Sequence, residues 1–145
     1  MVINEYVKSL GQSFIFAVIV FILLYIFLWP VRIVGVSMEP ALNSGDRVFV
    51  SRAAGFVSEY RRGDLVMVRV YHDAGNRYII KRIAAVPGDI LVIDDEQIEL
   101  YPNYYFLIGD NYAFSTDSRD FGPLHRSQLR GRVLFRFMGG NFNIY

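Results

Sequence analysis

The chain lacks cysteine, so its 145 residues hold no disulfide and no cysteine-ligated metal site. Histidine is nearly absent as well. His72 and His125 stand alone, without the spacing of metal ligands, so we expect no metal site and no cofactor. Charge of one sign is also scarce: the net charge is +1, without an acidic or basic tail. We therefore expect no nucleic-acid partner.

A long apolar segment occupies the N-terminal part of the chain. No charged residue occurs between Lys8 and Arg32, and 14–29 is almost wholly apolar. With its flanks this segment reaches about 20 residues, which as a helix cross a bilayer core of about 30 Å. A cleavable signal peptide is the alternative, but its apolar region would be shorter and would end in a small-x-small site. We favour an uncleaved anchor.

A few residues indicate where this segment ends and bear on its orientation in the membrane. Trp29 lies where an interfacial anchor is expected, and Pro30 is expected to end the helix. Lys8 precedes the segment, whereas Arg32 and Arg47 follow it. The positive-inside rule therefore leaves the orientation open. The predicted division is a tail at 1–11, an anchor at 12–31 and a β-rich domain at 32–145.

The rest of the chain is typical of a mainly β fold, either a small coiled sheet or an open barrel. Short runs rich in Val, Ile, Phe and Tyr alternate with Gly-Asp turns. The segment 73–76 predicts a hairpin turn, and 118–130 has room for a short helical turn. The predicted strands are Arg47–Ser51, Asp64–Tyr71, Tyr78–Val86, Asp89–Ile93, Tyr104–Gly109 and Gly131–Phe137.

A serine in a turn is the first candidate for chemistry. Ser37 lies between Gly35, which allows close backbone approach, and Pro40, which stiffens the turn. Such a turn can expose the hydroxyl and leave the amide N–H of Ser37 free to bind an oxyanion. Taken alone, the same pattern also describes an ordinary turn.

Lys81 is the candidate base, because neither histidine lies in a triad-like motif. In a strand, Ile79 and Ile83 share its face, and burial in apolar surroundings lowers the pKa of a lysine. The neutral amine could then take the proton of Ser37. Arg82 points the other way and stays protonated. The alternative is a lysine whose stem covers apolar neighbours.

Three segments follow the apolar one in a fixed order. They are 35–42 with Ser37-Met38-Glu39-Pro40, 78–89 with Lys81-Arg82 and Pro87-Gly88-Asp89, and 109–122 with Gly109-Asp110-Asn111. In this order they resemble type I signal peptidases, the membrane-bound Ser-Lys proteases that remove signal peptides from exported proteins. The resemblance extends to Met138. It implies preproteins and the lipid bilayer as partners, and a catalytic domain on the outer face of the plasma membrane.

The resemblance also implies roles for five side chains. Ser37 stands at the nucleophile of the family's Ser-Met-x-Pro motif, and Lys81 stands at its general base. Ser115 matches a hydroxyl that orients the lysine. Asp117 and Arg119 match a paired acid and base, spaced so that both can project to one side of an extended strand.

The substrate side follows from the resemblance alone. It implies small residues, typically Ala, at the first and third positions before the cut, selected by shallow apolar pockets. Ordinary core packing is the alternative for each residue that would line them. The matching positions are Ile33, Met38, Leu42 and Ile80.

The chain departs from the family at several positions. Asp110 and Asn111 are interpreted as turn formers. Only about 20 residues, 90–108, join the second and third segments, which leaves room for one hairpin near 94–96. The substituted positions are Gly35 for a hydroxyl residue, Ile79 for Tyr, Ala41 for Thr and Tyr112 for Arg.

Three other functions remain open at this stage. A specialised peptidase for pilin or conjugation-system precursors would suit the short core. A self-cleaving repressor-type Ser-Lys protease would carry a DNA-binding domain in place of the anchor. A membrane-anchored β-domain that binds a partner without catalysis would not need Ser37, Lys81, Ser115 and Asp117.

Overall fold

The computed structural model describes residues 2–72, 75–93, 96–138 and 143–144. It contains a long N-terminal helix followed by a mainly antiparallel β domain, which confirms the predicted fold class. The helices are α1 (Val2–Phe27), α2 (Ala54–Val57) and α3 (Ser118–Phe121), with 3-10 turns at Tyr112–Phe114 and Arg126–Gln128. The strands are β1 (Leu28–Arg32), β2 (Arg47–Ser51), β3 (Leu65–His72), β4 (Gly75–Ala85), β5 (Ile90–Ile93), β6 (Glu96–Glu99), β7 (Tyr104–Ile108), β8 (Leu124–His125), β9 (Leu129–Met138) and β10 (Asn143–Ile144).

Helix α1 is the apolar segment predicted from the sequence. Its window Lys8–Tyr25 has a mean hydropathy of 1.8, and none of that window is buried against the rest of the chain. Within the described residues it is the one helix whose length and composition suit a membrane crossing. Large apolar side chains exposed between Tyr6 and Phe27 are compatible with membrane anchoring.

The C-terminal end of this segment differs from the prediction. Helix α1 ends at Phe27, before Pro30, and Leu28–Arg32 form strand β1 instead of the last part of a 12–31 anchor. Strand β1 pairs with β2, and Pro30 stands opposite Phe49. Because β1 is at the edge of the sheet, a proline without an N–H is tolerated there. The ring of Trp29 packs edge-on against Tyr78 of β4, at 5.6 Å between centroids.

The main sheet has eight strands in the order β1-β2-β9-β3-β4-β7-β8, with β10 added to β9. Its two end strands are β1 and β8, so the sheet is open. The predicted hairpin at 73–76 joins β3 to β4, with His72 opposite Gly75, and residues 73 and 74 lie outside the described residues. The hairpin expected near 94–96 is the separate β5–β6 pair, where Ile93 faces Glu96.

Two apolar clusters occupy the two faces of this sheet. The first packs the segment 33–42 against β2, β3 and β9, and the second packs β3, β4 and β7 under 124–129. Residues of β3 and β4 alternate between them, as expected for a strand. The first contains Ile33, Met38, Leu42, Val48, Val50, Leu65, Met67 and Val133, and the second contains Tyr60, Val66, Val68, Ile83, Tyr105, Leu107, Leu124 and Leu129.

A buried ion pair fixes the loop between β1 and β2. Arg136 of β9 donates to the Asp46 carboxylate at 2.8 Å, and the two residues are 6% and 4% exposed. Arg136 also donates to the Ala41 carbonyl at 3.4 Å. The Asp46 carbonyl accepts from the Ile33 amide at 2.8 Å, which closes the loop at its base. The ion pair therefore holds the loop that carries Ser37.

Replacing Asp46 by Ala is expected to lower the free energy of unfolding by about 3–5 kcal/mol, because Arg136 keeps its buried charge without the carboxylate. The matched control is Asp89→Ala, which breaks the pair with the mostly exposed Arg62. That change is expected to cost much less. Urea unfolding followed by circular dichroism measures both, and equal losses would contradict the role given to the buried pair.

Candidate active site

Ser37 lies in the loop that follows β1 and lines a cavity of about 480 Å³. A turn shapes this part of the loop, since the amide of Glu39 donates to the carbonyl of Val36 at 3.1 Å. Neither the hydroxyl nor the amide N–H of Ser37 makes a hydrogen bond with the described part of the chain. Both groups therefore remain available to a bound molecule.

Lys81 sits in the middle of β4 and is only 2% exposed. Its backbone pairs with Val66, and its side chain lies on the face of β4 that carries Ile83, as the strand alternation predicts. Burial lowers the pKa of the Lys81 amine below its ordinary value of 10.5, although the negative charge of Asp117 opposes the shift. A larger share of this amine is thus neutral at a given pH than in a free lysine.

A chain of hydrogen bonds continues from Lys81. Its Nζ donates to Ser115 Oγ at 2.7 Å, and Ser115 Oγ donates to Asp117 Oδ2 at 2.8 Å. Arg119 clamps the same carboxylate, with Nε 2.9 Å from Oδ1 and Nη2 2.8 Å from Oδ2. The structure therefore brings Lys81, Ser115, Asp117 and Arg119 into one network.

The backbone around Asp117 differs from the extended strand expected from the sequence. Asp117 is the N-cap of helix α3, and its carboxylate accepts from the Arg119 amide at 3.2 Å. In return the Asp120 carboxylate accepts from the Asp117 amide at 2.9 Å, which completes a capping box. An aspartate at this position satisfies amides that a helix start leaves unpaired. The pairing with Arg119 thus arises from a helix start and not from strand alternation.

The charge of Asp117 is stabilised although the side chain is fully buried. Burial raises the pKa of the Asp117 carboxyl, but hydrogen bonds from Arg119, the Gly109 amide and Ser115 outweigh it. The pKa of Asp117 therefore lies well below its ordinary value. The same pairing raises the pKa of Arg119. A permanently ionised carboxylate fixes Ser115 as the donor in their hydrogen bond.

Gly109 is the point where the Ser37 loop meets this network. A Cβ on Gly109 would lie 2.1 Å from Ser115 Oγ and 2.5 Å from the Ser37 carbonyl oxygen, which is too close for any side chain. Its amide donates to Asp117 at 2.8 Å. Only glycine lets the backbone of the nucleophile candidate approach the hydroxyl that holds the lysine.

Two residues that the sequence analysis interpreted as turn formers, Asp110 and Asn111, also contact other segments of the chain. Asn111 donates from its amide to the Ser37 carbonyl at 3.0 Å and from Nδ2 to the Val36 carbonyl at 3.1 Å. Asp110 accepts from Arg82 at 2.7 and 2.6 Å. The sequence carried a signal for the second pair, because an arginine pointing away from the site needs a carboxylate partner.

The substitution at Tyr112 also has a structural consequence. The Arg119 guanidinium lies 3.6 Å from the centre of the Tyr112 ring and donates to the Tyr112 carbonyl at 3.1 Å. Tyr112 thus supports the arginine that clamps Asp117, through a cation–π contact.

The four residues expected to line substrate pockets do not all reach the cavity. Ile33, Met38 and Ile80 line it together with Ser37. Leu42 does not line it and is fully buried in the core. The two histidines lie apart from this network: His125 bonds Ser127, and His72 ends β3. Among the described residues, no group of three His, Asp or Glu could hold a metal ion.

Replacing Asp117 by Asn is expected to lower the free energy of unfolding by about 3 kcal/mol near pH 7, because partly exposed Arg119 and the donors around the fully buried position 117 lose their charged acceptor. The pKa of Asp117 is lower in the folded state, so its stabilisation is complete above the ordinary aspartate pKa of about 3.9 and is lost as pH falls further. Urea midpoints between about pH 6 and pH 2 should therefore converge for the two proteins. Parallel curves would contradict the depressed pKa.

Comparison with known proteins identifies the family of this chain. The family model described as signal peptidase, peptidase S26, matches residues 3–101 and 96–138. A signal peptidase I of Bacillus licheniformis is 27% identical over 94% of this chain and 89% of its own length. A signal peptidase IB of Staphylococcus aureus is 30% identical, over 93% and 89% respectively. Since the family model spans most of the sequence, including Ser37, Lys81 and Ser115, the chain belongs to the signal peptidase family, peptidase S26.

Proposed function

We propose that this chain is a type I signal peptidase, a serine endopeptidase in which Ser37 is the nucleophile and Lys81 the general base. The observation that carries the assignment of the base is the hydrogen-bond chain from Lys81 through Ser115 to Asp117. Family membership supports the wider activity, hydrolysis of a peptide bond in signal-peptide-bearing preproteins.

The direction of the hydrogen bonds determines what the lysine can do. Asp117 is ionised, so the single proton of the Ser115 hydroxyl is donated to it. The lone pairs of Ser115 Oγ must then accept from Lys81, which occupies one N–H of the amine. A neutral Lys81 therefore keeps its own lone pair free for a proton from elsewhere. In our proposal that proton comes from the Ser37 hydroxyl as it attacks the scissile carbonyl.

Charge that develops on the carbonyl oxygen needs a donor close to the nucleophile. The Ser37 amide N–H has no partner within the described residues and adjoins the cavity, so we assign it to the oxyanion. Gly35 contributes no hydroxyl there, and its own amide donates to Ser44 Oγ at 3.3 Å. After the first product leaves, Lys81 activates the water that hydrolyses the acyl-enzyme. No step needs a metal ion or a cofactor.

The cavity next to Ser37 suits the small side chains that the family resemblance implies before the cut. Ile33 and Met38 are buried at its wall, and Ile80 is half-buried beside them. This apolar part of the wall favours small apolar groups, whereas Arg32 and Arg77 line another part of the same cavity. We assign these three residues to substrate selection. Leu42 supports them from the core behind.

The proposed location is the plasma membrane, with α1 as a single-pass anchor and the β domain on the outer face. The support is the apolar helix and the family's activity on exported proteins. In this arrangement enzyme and preprotein share one bilayer, which raises their effective concentration.

Ser37→Ala and Lys81→Met should each lower cleavage of a preprotein with an Ala-x-Ala site by at least about a thousandfold. Ser37→Ala removes the attacking oxygen, and Lys81→Met keeps the stem but removes the base. The matched control is Ser58→Ala, which deletes a hydroxyl outside the site and should cleave normally. Cleavage is measured in detergent with the cut mapped by mass, and circular dichroism checks the fold. Substantial activity in folded Lys81→Met would refute the lysine base.

The rate should rise with pH along one basic limb, since only neutral Lys81 accepts a proton. Burial lowers the pKa of Lys81, so the midpoint of this limb in kcat/KM should lie below 10.5. A profile of initial rates in a constant-ionic-strength buffer measures it. A rate profile with a midpoint near pH 6.5 would instead indicate a histidine base, if that midpoint is lost in His72→Gln or His125→Gln.

A further inference from the structure

A second cavity, of about 740 Å³, shares Tyr78 with the cavity beside Ser37 but is not lined by Ser37, and its wall is strongly basic. Four arginines line it, and no aspartate or glutamate does. Aromatic rings and His125 make up much of the remaining wall. The four arginines are Arg52, Arg69, Arg126 and Arg130.

These four arginines have no carboxylate partner within the described residues, in contrast to five other arginines of the β domain. Arg62, Arg82, Arg119, Arg132 and Arg136 each form an ion pair with an aspartate. Within the described residues, none of the four cavity arginines does. The chain as a whole is nearly neutral, at +1. Four arginines without a carboxylate partner among the described residues therefore meet at this cavity, which no acidic side chain lines.

The contacts that these arginines do make leave hydrogen-bonding capacity unused. Arg52 stacks over Trp29 at 4.2 Å, and Arg69 donates to the Tyr71 hydroxyl at 2.8 Å. Arg126 donates to the Gly55 carbonyl. The Nε atoms of Arg69 and Arg130 are buried without a hydrogen-bond partner in the described part of the chain. An anion with several acceptor oxygens would satisfy such a set of guanidinium groups.

The position of the cavity indicates where that anion comes from. The Arg52 amide donates to the carbonyl of Phe27, the last residue of α1, at 2.9 Å. Trp29, two positions further on, lines the cavity. Phe56, also in its wall, is 93% exposed, and the adjacent Val57 is 83% exposed. The cavity therefore opens at the end of the apolar helix, next to side chains that favour a lipid environment.

We propose that this cavity binds the phosphate of an anionic phospholipid headgroup from the leaflet around the end of α1. The positive charge comes from the four arginines of the cavity wall. The exposed side chains of Phe56 and Val57 enter the acyl region next to the bound headgroup. Lipid phosphates lie at the depth where a spanning helix leaves the bilayer, which matches the place of Trp29. The site does not include Ser37 and needs no catalysis.

Trp29 provides the measurement, because it is the only tryptophan of the chain and lies in the cavity wall. The full chain is reconstituted in phosphatidylcholine vesicles in which lipids with brominated acyl chains carry either phosphatidylglycerol or phosphatidylcholine headgroups. Quenching of Trp29 then gives the relative affinity for the anionic lipid. We expect a clear preference for phosphatidylglycerol.

Arg69→Gln and Arg130→Gln should each reduce this preference about fivefold, the effect of one basic residue near an anionic surface. The matched control is Arg61→Gln, an exposed arginine outside the cavity, which should keep the preference. The Arg130 side chain makes no hydrogen bond or ion pair with the described residues, so its replacement tests the proposal even if Arg69→Gln fails to fold. Circular dichroism verifies the fold of each variant.

Three results would overturn the proposal. One is equal quenching by the two brominated lipids. Another is an equal loss of preference in Arg130→Gln and Arg61→Gln, which would indicate diffuse surface attraction. The third comes from titrating neutral vesicles with inorganic phosphate against chloride at equal ionic strength. A response to phosphate without any lipid preference would identify a soluble phosphate compound as the ligand.

Discussion

The buried carboxylate of Asp117 is the interaction on which the candidate site depends. It caps α3, accepts hydrogen bonds from the amide that follows β7 and from the Ser115 hydroxyl, and forms an ion pair with Arg119. A lone carboxylate could not remain charged at full burial, and these donors together make the charge stable. Its fixed charge also determines which way every hydrogen bond toward Lys81 points.

Strand alternation then separates two adjacent basic residues. Lys81 turns into the core and meets Ser115, whereas Arg82 turns outward and meets Asp110. Both partners belong to the segment that follows β7, so that segment is attached to β4 from both faces. Asn111 of the same segment reaches the carbonyls of Val36 and Ser37. One short stretch of chain thus contacts both the proposed base, Lys81, through Ser115, and the loop that carries the proposed nucleophile, Ser37.

The sequence was sufficient for the parts of this arrangement that depend on local pattern. Val-rich and Ile-rich runs between Gly-Asp turns predicted six strands whose positions the structure confirms within a few residues. Strand β1 was missed because Leu28-Trp29-Pro30-Val31-Arg32 continues an apolar run, and only pairing with β2 makes it a strand. The capping role of Asp117 was missed for a similar reason, since a four-residue helix has no periodic signal of its own. The contacts of Asn111 join positions 75 residues apart, which no local pattern reveals.

The direct joint between α1 and β1 has a geometric consequence. Strand β1 begins at the residue after the helix ends, and the Arg52 amide ties the last helical carbonyl to the sheet. With α1 across a bilayer, no loop would separate the membrane helix from the sheet, and the five residues of β1 span about 17 Å along the strand before the Ser37 loop begins. The proposed nucleophile, Ser37, would then be held at a fixed distance from the membrane surface. A preprotein would be selected by how far its cleavage site projects from the membrane as well as by its side chains.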